Sequence, residues 1–350
     1  MASTRSGVLC VGSIVVDLAK VIDAYPDQER LTLIRDVSVS TGGPALNLAV
    51  DLRRLGAVFP LELAGVVGDD AHGRLVRDAC AALGIDTSAL RTVPDVATSF
   101  TDAMVVRDGG TRTFFHHPGA SALLSAQDVD VTGSRAKILH AGAPGLHPLM
   151  DAPGQGGGNG WASLLQAAQS VGMRTTMELV SLPDEEIRAV ALPCLPNLDY
   201  LVINEIEAAA LAGAQIGPVD VDGHPHWGAL ESVAMALVEL GVSRLVAVHF
   251  PAGCVAAAPG GLLWRQGSVC LPRSAVRNAT GAGDAFAAGV IYGLHEELPV
   301  VQCLRLGACV AAASLEGAAT SDGVQPLAQC LALGETDGYR STSEPVQGGI

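Results

Sequence analysis

Lysine is nearly missing from this chain: only Lys20 and Lys137 occur among 350 residues, and the other basic side chains are arginine. Basic residues number 21 against 36 acids, for a net charge of −15. A protein that tracks a phosphate backbone needs a basic stripe, so nucleic acid is excluded as a partner. Aromatic residues make up only 4%, too few for the stacking platforms of single-strand binders. Charged residues are also few, at 16% against 49% hydrophobic, the reverse of a disordered chain. No uninterrupted apolar run reaches the roughly 18 residues of a membrane span, so no membrane partner is expected. The cysteines, at 10, 80, 194, 254, 270, 303, 309 and 330, never fall in Cys-x-x-Cys spacing. Neither a zinc site nor a redox motif is supported, and they read as reduced, buried thiols of a cytosolic protein. Arg5 and the apolar run 8–16 imitate a short signal peptide. However, Asp17 and Lys20 end the run, and no small-x-small cleavage site follows. The run reads as a buried first strand, and the expected location is cytoplasmic.

What is there has an α/β rhythm. Short β-branched apolar runs recur at 8–16, 61–67, 137–141, 173–180, 199–203 and 244–250. Between them, residues 44–56, 72–84, 161–172, 204–213, 228–241, 284–294 and 299–316 carry apolar positions at three- and four-residue spacing. Strands alternating with helices imply a mainly parallel sheet covered on both faces, which also accounts for the low charge. Two stretches break the rhythm, about 18–40 and 97–117. In the second, Asp108-Gly109-Gly110 is a hairpin turn between alternating segments. The two stretches are expected to pair into a small extra sheet that acts as a lid. The Gly-rich stretch 151–160 lacks the Lys-Ser/Thr of a Walker A loop and reads as a flexible surface connection. One domain is expected over 1–333, followed by a polar, poorly ordered tail, 334–350.

The segment that carries chemistry is Asn278-Ala279-Thr280-Gly281-Ala282-Gly283-Asp284. A small-residue turn runs straight into a helix, and its two glycines reach backbone angles closed to other residues. Backbone N–H groups at a helix start form an anion site, helped by the helix dipole. With a carboxylate on its rim, such a site fits phosphoryl transfer. The N–H groups of Ala282, Gly283 and Asp284 would hold the moving charge, and Asp284 would accept a proton from an attacking hydroxyl. The bland alternative is an ordinary turn with a capping Asp.

This segment resembles the C-terminal signature of the ribokinase-like, PfkB-type carbohydrate kinases, and further motifs follow in that family's order. They are Gly12-Ser13-x-x-x-Asp17, Gly42-Gly43-Pro44-Ala45-Leu46-Asn47, Gly65-Val66-Val67-Gly68-Asp69-Asp70-x-x-Gly73 and Asn204-Glu205-Ile206-Glu207. The resemblance covers roughly residues 7–333. It implies a three-layer α/β sandwich with a β-sheet lid, and an ATP- and Mg²⁺-dependent kinase acting on a sugar-like hydroxyl. Asp284 would be the catalytic base, and Gly281, Ala282 and Gly283 would form the anion hole. Asn204, Glu207 and Gly253 would bind nucleotide, with Glu207 reaching Mg²⁺ through water. Asp17, Gly42, Gly43 and Asn47 would bind the substrate, and a homodimer through the lid strands is expected. Without that resemblance, Asn204 and Glu207 read as an ordinary helix start. The phosphates of ATP would be held by Mg²⁺ and backbone N–H groups, which dispenses with lysines.

Three positions depart from the family pattern. Asn278 stands where the family carries Asp, in a segment that with Thr280 is implied to hold a monovalent cation such as K⁺. The nucleotide loop reads His249-Phe250-Pro251-Ala252-Gly253, with Phe250 where a glycine is expected. Val15 replaces an Asn of ribokinases, which argues against ribose, and Gly42–Asn47 is closer to the fructokinase type. Two alternatives stay open: a nucleoside kinase of the adenosine or pseudouridine type, and a sugar- or nucleotide-binding relative without catalysis. Arg112 and His116, on the expected lid, are candidates for contact with a polar substrate group. His116-His117 and His224-Pro225-His226 lack the third ligand a metal site needs.

Overall fold

A computed structural model describes residues 5–107, 112–215, 226–317 and 321–343. The strands are β1 (Val8–Gly12), β2 (Val15–Ile22), β3 (Ile34–Gly42), β4 (Leu61–Gly68), β5 (Leu90–Val93), β6 (Phe100–Val106), β7 (Arg112–His117), β8 (Ile138–Gly142), β9 (Arg174–Glu178), β10 (Tyr200–Asn204), β11 (Leu245–Phe250), β12 (Gly253–Ala258) and β13 (Leu262–Gly267). The helices are α1 (Pro44–Arg54), α2 (Ala71–Ala82), α3 (Pro148–Asp151), α4 (Gly160–Ser170), α5 (Asp184–Ala191), α6 (Glu205–Ala212), α7 (Trp227–Glu239), α8 (Ala282–His295), α9 (Val300–Leu315) and α10 (Leu327–Asp337). Nine strands form one sheet in the order β13-β12-β11-β10-β9-β8-β1-β4-β5. Its pairings are parallel except for the antiparallel β11–β12 and β12–β13.

Side-chain alternation along the strands makes two cores. On β1, Val8 and Cys10 join a cluster with α1, α2, α8 and α9. Leu9 and Val11 point the other way, to a cluster with α4, α6 and α7. Each fully buried leucine here, such as Leu48 or Leu165, contributes about 1.5–3 kcal/mol of burial. The result is the expected three-layer sandwich.

The two irregular stretches do pair. A separate four-stranded sheet runs β3-β2-β6-β7, with β2–β6 parallel and both outer pairs antiparallel. The turn expected at 108–110 lies outside the described residues, but β6 and β7 pair as its two arms.

Other expectations need correction. The tail does not begin at 334, because α10 continues to Asp337 and Tyr339 then bridges to Val269. The Tyr339 hydroxyl meets Cys309 Sγ at 3.2 Å and accepts from Arg305 Nε at 2.9 Å. Residues 334–343 therefore pack on the body. The Gly-rich stretch is also less free than expected. Asp151 accepts from the backbone of Gly145 and His147 and from Trp161 Nε1, and buried Asn159 caps α4. The small-residue face of α8 packs on α9, where a Cβ at Gly289 would sit 2.7 Å from the Gly307 nitrogen. Among the described residues, no helix is long and apolar enough to cross a membrane.

Candidate active site

In an open parallel sheet, groups from several elements converge at the carboxyl ends of the strands. Here Gly12, Gly142 and Glu178 end β1, β8 and β9 in one register row, and Asn204 ends β10 beside His249 of β11. Two helix starts point at the same end. Gly281 takes a left-handed φ of 84° and turns the chain into α8, so that Asp284 sits in the first turn. Gly43, at φ 92°, does the same for α1 and Asn47.

These two helix starts meet. Asn47 Nδ2 donates to Asp284 Oδ2 at 2.7 Å. Burial first, and the Glu178 carboxyl next, push the Asp284 carboxyl up to about 7, while the Asn47 bond works the other way. Asp17 comes from β2 of the small sheet. Burial and the nearby Asp284 push it up to about 6. Gly42 is what lets Asp17 lie there, since a Cβ on Gly42 would come within 2.1 Å of Asp17 Oδ2. At the start of α8, the Ala282 N–H leans on the Ala279 carbonyl at 3.3 Å. Among the described residues, the Gly283 N–H has no acceptor, as helix geometry dictates for a first-turn donor.

Toward β10, Asn204 and Glu207 form a reciprocal cap on α6. The Asn204 side chain accepts from the Ile206 and Glu207 N–H groups, and the Asn204 N–H donates to Glu207 at 3.1 Å. Ser181 Oγ donates to the other Glu207 oxygen at 3.2 Å. Burial pushes Glu207 up to about 7, and Asp284 adds to the rise. Glu178 is held well above the usual carboxylate range by burial and by Glu207. It shares a 2.9 Å hydrogen bond with His140, which burial lowers to about 3. Beside this group opens a pocket of about 480 Å³, lined by Asn204, His249, Gly253, Val276, Gly283 and Leu315 among others. Val269 and Arg340, from the β13 end and the segment after α10, also line it.

The arrangement therefore has a mainly apolar pocket, a helix start with an open N–H, and a carboxylate poised near neutrality. Comparison with known proteins gives this arrangement its family. The model of the pfkB family carbohydrate kinases matches residues 5–326. The chain belongs to that family. It is a sugar kinase, a phosphotransferase acting on sugar hydroxyls. Among its relatives, a probable fructokinase-7 of Arabidopsis thaliana is 27% identical over 84% of this chain and 80% of that protein. The aminoimidazole riboside kinase of Salmonella typhimurium is 27% identical over 78% of each. The structure of Arabidopsis thaliana ribokinase complexed with ribose and ATP shares the fold. Its TM-score is 0.75 at 21% identity, covering 95% of this chain and 99% of that one.

In this kinase, then, Asp17, Gly42, Gly43, Asn47 and Asp284 come together at one end of the sheet, and Asn204, Glu207, Gly253 and Gly281–Gly283 gather beside them. The residues of the small sheet behave differently from the sequence reading. Arg112, expected to face a substrate group, instead donates through Nη1 to Asn278 Oδ1 and to Thr280 Oγ1, the latter at 3.0 Å. His116 Nδ1 bonds Thr101 Oγ1 at 3.0 Å. His224 and Pro225 lie outside the described residues.

Sequence reasoning missed Glu178, His140 and Arg340. A signal for Glu178 was present: an acid that ends a strand, here Arg174–Glu178, sits where α/β sheets bind ligands. Arg340 had no such signal, because its place depends on how the segment after α10 folds back.

Proposed function

We propose that this kinase transfers the γ-phosphoryl group of ATP to a hydroxyl of a sugar, with Asp284 as general base. The observation that carries the reading is Asp284 itself. It stands in the first turn of α8, bonded to Asn47 and raised to about 7. A base with that affinity is half ionised at neutral pH and still takes a proton well. Asp17 and Asn47 supply acceptor and donor groups for neighbouring substrate hydroxyls. As the hydroxyl attacks, its proton passes to Asp284, and the N–H groups of residues 281–283 meet the charge on the transferred phosphoryl group.

ATP fits the pocket beside Asn204 and Gly253. The apolar walls suit a base, and the polar end lies at the start of α8. The Glu207 carboxyl raises the proton affinity of Glu178, and Asp284 raises that of Glu207, so a hydrated cation among them would relieve their repulsion. That donor set fits Mg²⁺ held through water, since Mg²⁺ sheds its waters reluctantly. When bound, Mg²⁺ would neutralise charge on the phosphates. The small sheet would act as a lid carrying Asp17. Exposed Val37, Val39, Phe114 and Phe115 on its outer strands support pairing of two lids in a homodimer.

A hexose of the fructose kind is favoured over ribose. Val15, buried beside Gly42, offers no polar group to a pentose at a position where ribokinases carry Asn. The test is ADP release with a panel of hexoses, sugar acids, pentoses and nucleosides. Turnover with a hexose or sugar acid is expected. Turnover confined to nucleosides overturns the substrate class. ADP release with no member of the panel favours a binding protein.

A further inference from the structure

The guanidinium of Arg112 spans two bodies of the molecule. It starts on β7, an outer strand of the small sheet, and ends on the turn that leads into α8. Its targets, the side-chain oxygens of Asn278 and Thr280, belong to the two residues that the family resemblance implies for a monovalent cation. Asn278 is buried, with 5% exposure. Its Oδ1 also accepts the Thr280 N–H at 2.8 Å. A carbonyl oxygen has two lone pairs, and the Thr280 amide and Arg112 fill both. A second cation at these oxygens would lie within hydrogen-bonding distance of a fixed positive charge that proteins do not titrate away. These residues therefore do not fit K⁺.

We infer that Arg112 is a positioning residue that does from the lid what a bound monovalent cation would do from solution. Its Nη1 holds both Asn278 and Thr280, and through them sets the angle at which residues 281–283 present their N–H groups. Because the guanidinium is carried on β7, this support exists only while the small sheet lies against the body. Lid placement and readiness of the anion site are thus one event, and the reaction needs no K⁺. The inference rests on the kinase reading above, but it also predicts binding behaviour that can be measured without turnover.

The experiment compares wild type, Arg112→Met and Arg112→Lys in KCl and in choline chloride. Turnover is followed, together with the melting shift caused by a non-hydrolysable ATP analogue with Mg²⁺. Wild type is expected to show the same rate and the same shift in both salts. Arg112→Met should lose about a hundredfold in kcat, the scale of a 1 Å misplacement, with sugar KM within about twofold and partial rescue by millimolar guanidinium ion. Arg112→Lys keeps the charge but replaces the rigid planar guanidinium with a flexible point charge and should fall between; it carries the test if the Met variant does not fold. A wild-type rate or melting shift that rises with K⁺ overturns the inference. So does wild-type kcat in Arg112→Met, or a loss confined to sugar KM. If wild type turns over no sugar, the kinase reading has failed. The melting shifts then still decide: salt-independent in wild type, K⁺-dependent in Arg112→Met if the guanidinium fills a cation's place.

Discussion

Asp284 gathers most of the chemistry into one side chain. Its carboxyl holds a proton up to about pH 7, against an ordinary value of 3.8, because burial and Glu178 disfavour the charge. Only the ionised form accepts a proton from substrate, so kcat/KM should rise with pH and level off above 7. The observed midpoint belongs to the group Asp284, Glu178 and Glu207 together, since these carboxyls interact. Stability runs the opposite way. The folded protein binds this proton more tightly than the unfolded chain does, so between about pH 4 and pH 7 stability falls as pH rises. Asp284→Asn removes that term and leaves Asn47 a partner. Turnover should drop about a thousandfold, within the range for a lost general base, while the melting temperature at pH 8 rises above wild type. Calorimetry at pH 5 and pH 8 checks it, and a variant that melts lower at pH 8 counts against a strained carboxylate. At this scale the sequence made Asp284, Asp17, Asn47 and Asn204 visible, because each sits in a short motif. His140 was invisible because it is a single polar residue in an apolar strand, and Glu178 was marked only by its place at a strand end.

The β3–α1 junction shows how an element serves the site. Gly42 ends β3 opposite Val15, and Gly43 turns the chain into α1. The two glycines do different jobs. Gly43 supplies the left-handed backbone, and its Cβ would strike the Ser13 carbonyl at 2.5 Å. Gly42 leaves room for the Asp17 carboxylate. In Gly42→Ala the new methyl meets the end of a flexible side chain, so the fold should survive while Asp17 is pushed aside. Sugar kcat/KM should fall about ten- to a hundredfold, the cost of a misplaced positioning group, with KM for ATP unchanged. An equal loss on both substrates would mean the junction itself had shifted. The central strands and the long helices were legible from their periodicity. The β12–β13 hairpin was not. Residues 253–258 read Gly-Cys-Val-Ala-Ala-Ala, with one β-branched residue, so they form a strand only because neighbours bury them. Likewise the end of α10, with Gly334, Glu335 and Asp337, reads as a tail; contact of Gly334 with Tyr339 and Cys309 holds it.

For the whole molecule, the open question is what covers the outer strands of the small sheet. Strand β3 is an edge, and Val39 on it is 53% exposed. Unpaired edges with apolar side chains invite a partner strand. Val39→Lys should convert a dimer into a monomer, read by light scattering, and raise sugar KM because Asp17 lies in the neighbouring strand β2. A wild-type monomer at high concentration would remove this assembly.

The sequence by itself determined the layered α/β architecture, the pairing of the two irregular stretches, and the turn that opens α8. Those features are written in local periodicity and in short runs of residue types. Only the tertiary structure decided that Asn47 meets Asp284 from 237 positions away, and that Arg112 reaches Asn278 across 166. It alone also decided which carboxyls lie close enough to raise one another's proton affinity. Such contacts depend on distance through space and on burial, and both arise only when the helix starts and the small sheet have packed at the ends of the strands.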